Sequence, residues 1–244
     1  VLLIDCPAGM HTFFQPLFQL INDTELNPDL RVSNTLFYFE GDGYYEQFKE
    51  DRWLPEYDLD PHPGPGGEII DTSDLVRRRA VDEWDAGWLG SVEWRHGSGR
   101  GVLQSGLALR LHSGRHEGTT IWAQNYPPDT APNHPYYDYR LDKRTLQPFI
   151  QEEWMVSDRW RLFGGLTWNH HRYAMYDDQL KATDFADTYD YLLPRLGVTY
   201  QPSPGISLYA NISQGGREPA FRDIYDPQDY WFGDEPHDLE TEDL

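Results

Sequence analysis

Aromatic side chains that could stack on a planar or sugar-like ligand are concentrated in the segments between the predicted strands. We take eight of these rings as candidate ligand contacts: Tyr44, Tyr45, Trp53, Trp122, Tyr126, Tyr136, Tyr137 and Trp231. The same rings could instead pack the loops against one another, and we favour that second interpretation. In either role they indicate loops with a large aromatic surface.

Metal-ligating residue types are present, but their spacing is unfavourable. Asp177 and Asp178 are the candidate for a loop cation, because calcium prefers carboxylate oxygens, yet the spacing matches no known calcium loop. His170 and His171 are adjacent on a predicted strand and therefore point to opposite faces. The single Cys6 excludes an intrachain disulfide and a paired-cysteine zinc site. We predict no cofactor and no firm metal site.

Motifs for catalysis are missing from the sequence. It contains neither a Gly-Lys-Ser/Thr phosphate loop nor a Gly-x-Ser-x-Gly nucleophile turn. Its 41 acidic residues would allow a glycosidase pair by residue type, but no pair stands out. An acidic secreted hydrolase therefore lacks a catalytic constellation, and the sequence predicts a protein that is not an enzyme.

Hydrophobic alternation with a period of two predicts strands whose two faces differ in polarity. In residues 101–112, Leu103, Leu107, Leu109 and Leu111 share one face. Polar residues occupy the opposite face of this strand and of the strands at 160–173 and 195–200. A membrane barrel would turn this polar face toward a watery lumen. The candidate lumen-facing residues are Gln104, Arg110, His112, Thr167, Asn169 and Arg195.

The connections between the predicted strands alternate in length. We predict strands at 13–22, 31–40, 80–95, 101–112, 144–156, 160–173, 195–200 and 206–213. The short turns fall at 23–29, 96–100, 157–159 and 201–205, and the long loops at 43–73, 114–138, 174–190 and 217–244. Short turns on one rim and long loops on the other are typical of an outer-membrane barrel. The predicted fold is all-β, an antiparallel membrane β-barrel of about eight strands.

The formal net charge of −21 is carried almost entirely by the long loops, which hold 26 of the 41 acidic residues and 6 of the 20 basic ones. Charge is thereby kept off the spanning strands, where it is costly. A salt-adapted surface, divalent-cation binding and attraction of a cationic ligand all remain open as explanations. Nucleic acid is not an expected partner, because its phosphates require lysine and arginine.

Three stretches resemble the late-barrel region of TonB-dependent outer-membrane receptors. They are PRLGVTYQP at 194–202, ISLYANISQGGREPAFRDIY at 206–225 and, more loosely, DLETE at 238–242. NTLFYFEGDGYYEQF at 34–48 and GTTIWA at 118–123 resemble the same family.

The resemblance implies a barrel of about 22 strands with long outer loops and an N-terminal plug. It also implies a location in the outer membrane, in contact with its lipid. The family function would be energised uptake of a scarce nutrient, such as an iron chelate or cobalamin, bound by the extracellular loops. Energy would come from the TonB complex, coupled through an N-terminal region. We therefore interpret residues 1–244 as part of one barrel domain, without the plug and final strands.

The alternative is a secreted, soluble all-β carbohydrate-binding module with an acidic, aromatic surface. Such a module would bury its leucine faces against each other. Arg110 and His112, in the middle of the polar face, count against that arrangement. The chain opens without an initiator Met or a basic leader and ends without a terminal aromatic strand, so we expect an interior piece of a longer protein.

Overall fold

The computed structural model describes residues 11–226 as one long antiparallel sheet with a small hairpin beside it. The strands are β1 (His11–Phe14), β2 (Leu17–Asn27), β3 (Leu30–Trp53), β4 (His62–Pro63), β5 (Ile69–Ile70), β6 (Thr72–His96), β7 (Gly101–Ala123), β8 (His134–Ser157), β9 (Trp160–Tyr176), β10 (Phe185–Ser203) and β11 (Ile206–Ser213). A 3₁₀ helix covers Leu54–Tyr57, and one α-helical turn, α1, covers Phe221–Ile224.

The sheet has eight positions across its width. Its order is β1-β3-β6-β7-β8-β9-β10-β11, and β2 also pairs with β3. β1 and β2 occupy successive lengths of the same edge, with Gln15 and Pro16 between them. Proline has no backbone N–H to donate to a ladder, which suits such a break. The prediction of an all-β antiparallel fold with about eight strands is confirmed.

The strands run further than the sequence predicts, so three predicted long loops are wrong in their bounds. β3 extends to Trp53 instead of ending at residue 40, and β7 extends to Ala123 instead of residue 112. The loops at 43–73, 114–138 and 174–190 shrink to the residues between Trp53 and Thr72, between Ala123 and His134, and between Tyr176 and Phe185. Alternation is lost in these extensions because polar residues occur on both faces, although the ladder continues.

Gly43 lies within the paired strand β3, although the second strand was predicted to end at residue 40 and a loop to begin at residue 43. A Cβ at Gly43 would meet the backbone oxygen of Thr12 and the ring of Phe13, both on β1. The glycine therefore permits close approach of the edge strand. The short turns are where they were predicted. The first is shorter than expected, because β2 continues to Asn27.

One face of the sheet is apolar and open. Leu109, Leu111 and Leu166 lie on central strands and are 37%, 49% and 40% exposed. Tryptophans, among them Trp84, Trp94, Trp160 and Trp168, lie at the two ends of this band. A soluble sandwich would bury such a surface, whereas a lipid-facing surface carries an apolar band between aromatic girdles. No helix among the described residues is long and apolar enough to cross a membrane.

The buried core lies on the opposite face, beyond the apolar band and near the longer connections. It is formed by Leu54, Tyr57, Leu59, Leu75, Ala123, Tyr136, Tyr137, Tyr139, Leu141, Tyr173, Met175, Ile224 and Tyr225. The interior of this region is thus built largely from tyrosine rings. We call this end of the inner face the mouth.

Candidate functional site

The register places all six predicted lumen residues on one face, which we call the inner face. Gln104 of β7 lies opposite Gln151 of β8, and the Gln151 side-chain amide donates to Gln104 Oε1 at 2.6 Å. Further along the sheet, Arg195 Nη2 donates to Thr167 Oγ1 at 3.3 Å. Asn169 lies two residues beyond Thr167 on the same side of β9. The structure thus places all six side chains on the same face of the sheet, and their exposure to a watery lumen stays a prediction.

Asp85 links two of those predicted residues. Arg110 donates from Nε and Nη2 to the two carboxylate oxygens of Asp85, at 2.5 and 3.0 Å, and His112 Nδ1 lies 3.0 Å from Oδ2. The Asp85 side chain is only 1% exposed, whereas that of Arg110 is 54% exposed. The buried Asp85 carboxylate, bound by two N–H groups of Arg110, joins β6 and β7 near the middle of each strand. The alternation of apolar and polar residues in the sequence indicated Arg110 and His112 as lumen-facing, but it did not indicate Asp85, their buried partner.

A cavity of about 330 Å³ opens at the mouth, on the same inner face and beyond the apolar band. Its walls come from β3, β6, β7, β8 and the segment after β11, and include Tyr45, Arg79, His116, Tyr137, Tyr139 and Phe221. These side chains share one face because each strand contributes alternate residues to it. The cavity therefore combines aromatic rings with two guanidinium groups, from Arg79 and Arg222, and two carboxyl groups, from Glu83 and Asp226.

Arg79 is the more enclosed of the two arginines that line this cavity, since Arg222 is exposed. Its Nε donates to the hydroxyl of Tyr136 at 3.5 Å, and its guanidinium carbon lies 5.7 Å from the centre of the Tyr137 ring. Burial alone would lower the pKa of Arg79, but the contacts with Tyr136 and Tyr137 outweigh it and raise the pKa. Arg79 is thus a permanent positive charge surrounded by rings, an arrangement that favours an anionic ligand.

One histidine and two tyrosines of the cavity stay neutral near pH 7. Burial, with a smaller contribution from nearby His112, lowers the pKa of His116 to about 4. Burial raises the pKa of the Tyr137 and Tyr139 hydroxyls. The cavity therefore offers neutral imidazole and phenol groups, which can hydrogen-bond and stack, beside its two arginines and two acidic residues.

Residues 214–226, which we call the return segment, fold back onto the inner face after β11. The backbone N–H of Gln214 donates to the carbonyl oxygen of Pro194 at 3.0 Å. Glu218 Oε1 lies 2.6 Å from Lys143 Nζ. Phe221, in α1, packs against Tyr139 and neighbouring rings. The prediction that 217–244 is an outer polar loop is therefore wrong for residues 217–226, and residues 227–244 lie outside the described range.

Contacts between aromatic rings hold the return segment against the inner face. Phe221 has its ring centre 6.1 Å from those of Tyr173 and Phe185, and the Tyr225 hydroxyl donates to Asp178 Oδ2 at 3.3 Å. Ile224 is fully buried beside them. The apolar spacing of Phe221, Ile224 and Tyr225 was the available sequence signal, since a solvated loop has no need of it.

The predicted ligand-contact rings divide between two roles. Tyr45 and Tyr137 line the cavity, in positions where a ligand could touch them. Tyr136 packs on Tyr57 at 5.0 Å between ring centres, and the Tyr126 hydroxyl donates to the carbonyl oxygen of Thr120 at 2.6 Å. Tyr136 and Tyr126 therefore contribute to the internal packing of the mouth.

The remaining rings lie elsewhere. Tyr44 is on the outer face, with the Arg78 guanidinium 4.5 Å from its ring centre. Trp53 is half-buried at the end of β3, and Trp122 is exposed near the end of β7. Trp231 lies outside the described residues. Ligand contact by any of these rings stays a prediction.

Asp177 and Asp178 do not form a shared cation site in this arrangement. Asp177 is exposed, 3.7 Å from Arg140. Asp178 is buried, and its Oδ1 accepts from the backbone N–H groups of Leu180 and Lys181, both at 3.1 Å. The Asp178 carboxylate thus stabilises the turn at residues 178–181. Across residues 11–226, no group of three or more His, Cys, Asp or Glu side chains is placed to hold a metal ion.

Sequence reasoning missed Arg79, His116 and Tyr139 as candidate site residues. All three lie in strand lengths beyond the apolar band, where the pattern of the two faces is lost. The one signal for Arg79 was the run Arg77–Arg79 in a strongly acidic chain. On a strand, the middle residue of such a run points to the face opposite its two neighbours.

Comparison with known proteins agrees with this geometry. A family model described as "TonB dependent receptor-like, beta-barrel" matches residues 11–242. Among solved structures, the unliganded ferric citrate transporter FecA is similar over 84% of this chain and 28% of its own, with a TM-score of 0.63 and 14% identity. The open form of the ferric-catecholate import receptor Fiu from E. coli K12 is similar over 85% and 36%, with a TM-score of 0.57 and 7% identity.

No curated protein sequence matches the chain significantly. The likeness to solved structures shows the fold, and the chain spans about a third or less of those two barrels. The predicted fold class, part of a larger antiparallel membrane barrel, is confirmed. The family model matches nearly the whole chain, and the chain accordingly belongs to the TonB-dependent receptor-like β-barrel family.

Proposed function

We propose that this chain is part of an outer-membrane receptor that takes up an anionic ferric chelate. The observation that carries the proposal is the cavity of about 330 Å³ at the mouth, where protonated Arg79 lies among neutral phenol rings. Proteins of the same fold include a ferric citrate transporter and a ferric-catecholate import receptor. Family membership supports transport, not catalysis, as the activity of the whole protein.

The chemistry of the cavity selects among nutrient classes. A guanidinium group binds carboxylate or catecholate oxygens through several N–H donors at once, and flanking rings stack on planar groups. Neutral His116 adds no charge at pH 7, and the acidic residues Glu83 and Asp226 also line the cavity, so a large polyanion gains little there. These features favour a chelate with a small negative charge and flat, oxygen-rich groups over an uncharged sugar.

The acidic loops do not contradict an anionic ligand at this position. Attraction between exposed charges falls off over about 8 Å at physiological ionic strength, so carboxylates further out on the loops act weakly on a site inside the mouth, although Asp226 itself lines the cavity. Arg79 lies directly on the cavity wall and is screened less. We accordingly assign ligand selection to the inner wall.

The remaining partners follow from the proposed location. The apolar band would face outer-membrane lipid, as exposed Leu109 and Leu166 require. Energy would come from the TonB complex through an N-terminal region, and the plug would close the lumen. Residues 1–244 are then one stretch of a single barrel domain.

The test is equilibrium binding of iron-55 chelates to outer-membrane vesicles that contain the natural protein. The panel comprises ferric citrate, a ferric catecholate and an uncharged ferric hydroxamate. We expect Arg79→Gln to weaken binding of the anionic chelates at least tenfold, because it removes the half-buried cation of the cavity wall. Arg78→Gln is the matched control, since Arg78 points to the outer face and pairs with Glu46 at 2.5 Å. Equal effects of both variants, or no binding of any chelate, would refute the proposal.

A further inference from the structure

Two arginines face each other on the outer surface of the sheet. Arg144 of β8 and Arg172 of β9 are directly paired in the register, and both side chains are exposed. Neither makes an ion pair or side-chain hydrogen bond with any residue that the structure describes, within 11–226. Like charges directly opposite each other destabilise a sheet, so this pair is costly unless an anion lies between them.

The pair lies just beyond one edge of the apolar band. Arg144 is paired on its other side with Leu111 of β7, which is 49% exposed. On β9, Trp168 and Leu166 lie four and six residues before Arg172, on the same outer face. A tilted transmembrane strand spans the hydrocarbon in about 9–11 residues. Counted from Trp160 as the first residue, an 11-residue span ends at His170, and Arg172 lies two residues beyond it, on the side of the mouth.

A small recess of about 100 Å³ lies beside the two guanidinium groups. It is lined by Asp142, Arg144, Arg172 and Ala174. Asp142 is the acidic neighbour, and one of its carboxylate oxygens accepts from the Tyr176 hydroxyl at 3.3 Å. Two arginines against one carboxylate leave the recess with a net positive charge, in a chain whose net charge is −21.

From this geometry we infer that Arg144 and Arg172 bind the phosphate group of a lipid in the outer leaflet. The recess is on the face opposite the ligand cavity, so the nutrient is not its occupant. Guanidinium groups bind phosphate oxygens in a forked geometry, and the adjacent leucines and tryptophan would contact the acyl chains. β8 and β9 are flanked on both sides by strands of this chain, so the recess is complete within it. The inference rests on the proposed outer-membrane location.

The test is lipid binding by the natural membrane-inserted protein. Purified protein is titrated with bisphosphorylated lipid A, with its dephosphorylated form and with inorganic phosphate, and retained lipid is counted by native mass spectrometry. The double variant Arg144→Gln/Arg172→Gln should raise the dissociation constant for the bisphosphorylated lipid about thirtyfold, from the usual contribution of two arginines at an anionic surface. Dephosphorylated lipid should bind weakly to both proteins, and inorganic phosphate should not compete.

The matched control is Arg31→Gln/Arg161→Gln. It removes the same charge from arginines on the inner face, near the short turns, where each is within 4 Å of an acidic residue. The inference fails if the two double variants bind lipid alike, if wild-type protein does not prefer the phosphorylated lipid, or if inorganic phosphate displaces it. Cell fractionation is a separate measurement, which shows whether the wild-type protein is in the outer membrane. Wild-type protein absent from the outer membrane would refute the location and this inference together, whereas correct insertion without phosphate preference would refute the inference alone.

Discussion

Glu218 and Lys143 are 75 residues apart in the chain, yet their Oε1 and Nζ atoms lie 2.6 Å apart on the inner face. The second carboxylate oxygen of Glu218 lies 3.3 Å from His171 Nε2. Lys143 in turn lies 4.8 Å from the centre of the Tyr173 ring. This ion pair and the ring contacts of Phe221 hold the return segment against β8 and β9, together with a hydrogen bond from the Tyr173 hydroxyl to the carbonyl oxygen of Pro219 at 3.5 Å.

Removing the Glu218 charge should release the return segment. In Glu218→Gln, the Lys143 ammonium loses its only paired carboxylate among the described residues, and a partly buried charge left unpaired is costly. We expect trypsin cleavage at Arg217 and Arg222 in outer-membrane vesicles to accelerate severalfold, measured peptide by peptide by mass spectrometry. Asp223→Asn is the control, because it removes an exposed carboxylate from the same segment. Equal cleavage rates in the two variants would show that the ion pair does not hold the segment.

Acidification should destabilise the protein through His116. The folded-state pKa is about 4, below the ordinary unfolded value near 6.5, because burial disfavours the charged ring. A group with a depressed folded pKa contributes stability above the unfolded pKa and loses it as the pH falls toward the folded value. That contribution is about 3 kcal/mol at most and disappears between pH 6.5 and 4.

The measurement is the thermal unfolding midpoint of the detergent-solubilised natural protein at intervals from pH 7.5 to 4.5. We expect the midpoint of His116→Gln to fall less steeply than that of wild type across this range, since glutamine does not titrate. His62→Gln, in the small β4–β5 hairpin, should keep the wild-type slope. If His116→Gln keeps that slope too, the histidine is not held neutral by its surroundings.

Arg110 should matter more for stability than an arginine on the outer surface. Asp85 is 1% exposed, so Arg110→Gln leaves a buried carboxylate with His112 as its remaining partner and should cost about 3 kcal/mol. Arg115→Gln removes exposed pairs with Glu117 and Asp138 and should cost less than about 1 kcal/mol. Urea unfolding of the natural protein in detergent, followed by tryptophan fluorescence, compares the two. Similar losses would mean that burial of Asp85 does not set the strength of the pair.

The sequence predicted the fold well where lipid would impose a pattern and poorly beyond it. The strand at 206–213 and the turn before it agree with β11 and its turn, because alternate residues there must differ in polarity. Arg79 and His116 lie in the strand extensions. Both faces are polar there, so the sequence shows no alternation of apolar and polar residues that would indicate a strand. The pairing that extends those strands comes from neighbours distant in sequence, which a single sequence does not reveal.

The return segment was missed for a different reason. Its local composition, with arginines, acids and a proline, is that of a loop, and only long-range contacts with Tyr139 and Lys143 place it inside. Buried Asp85 was likewise invisible, since a carboxylate in the middle of a strand has no local sign of its partner. The chemistry of the mouth therefore depends on register between strands, whereas the apolar band depends on residues within each strand.

The orientation of the sheet can be tested directly with single cysteines in a Cys6→Ser version of the natural protein. Positions Leu109 and Leu166 are on the apolar face and should be protected from a water-soluble thiol reagent by lipid, until detergent is added. Positions Gln104 and Thr167, on the opposite face, should react in membranes because a watery lumen admits the reagent. The pairs are matched, because each protected position lies on the same strand as its reactive partner. Identical labelling of all four, in protein recovered from the soluble fraction, would exclude the membrane barrel and restore the secreted binding module.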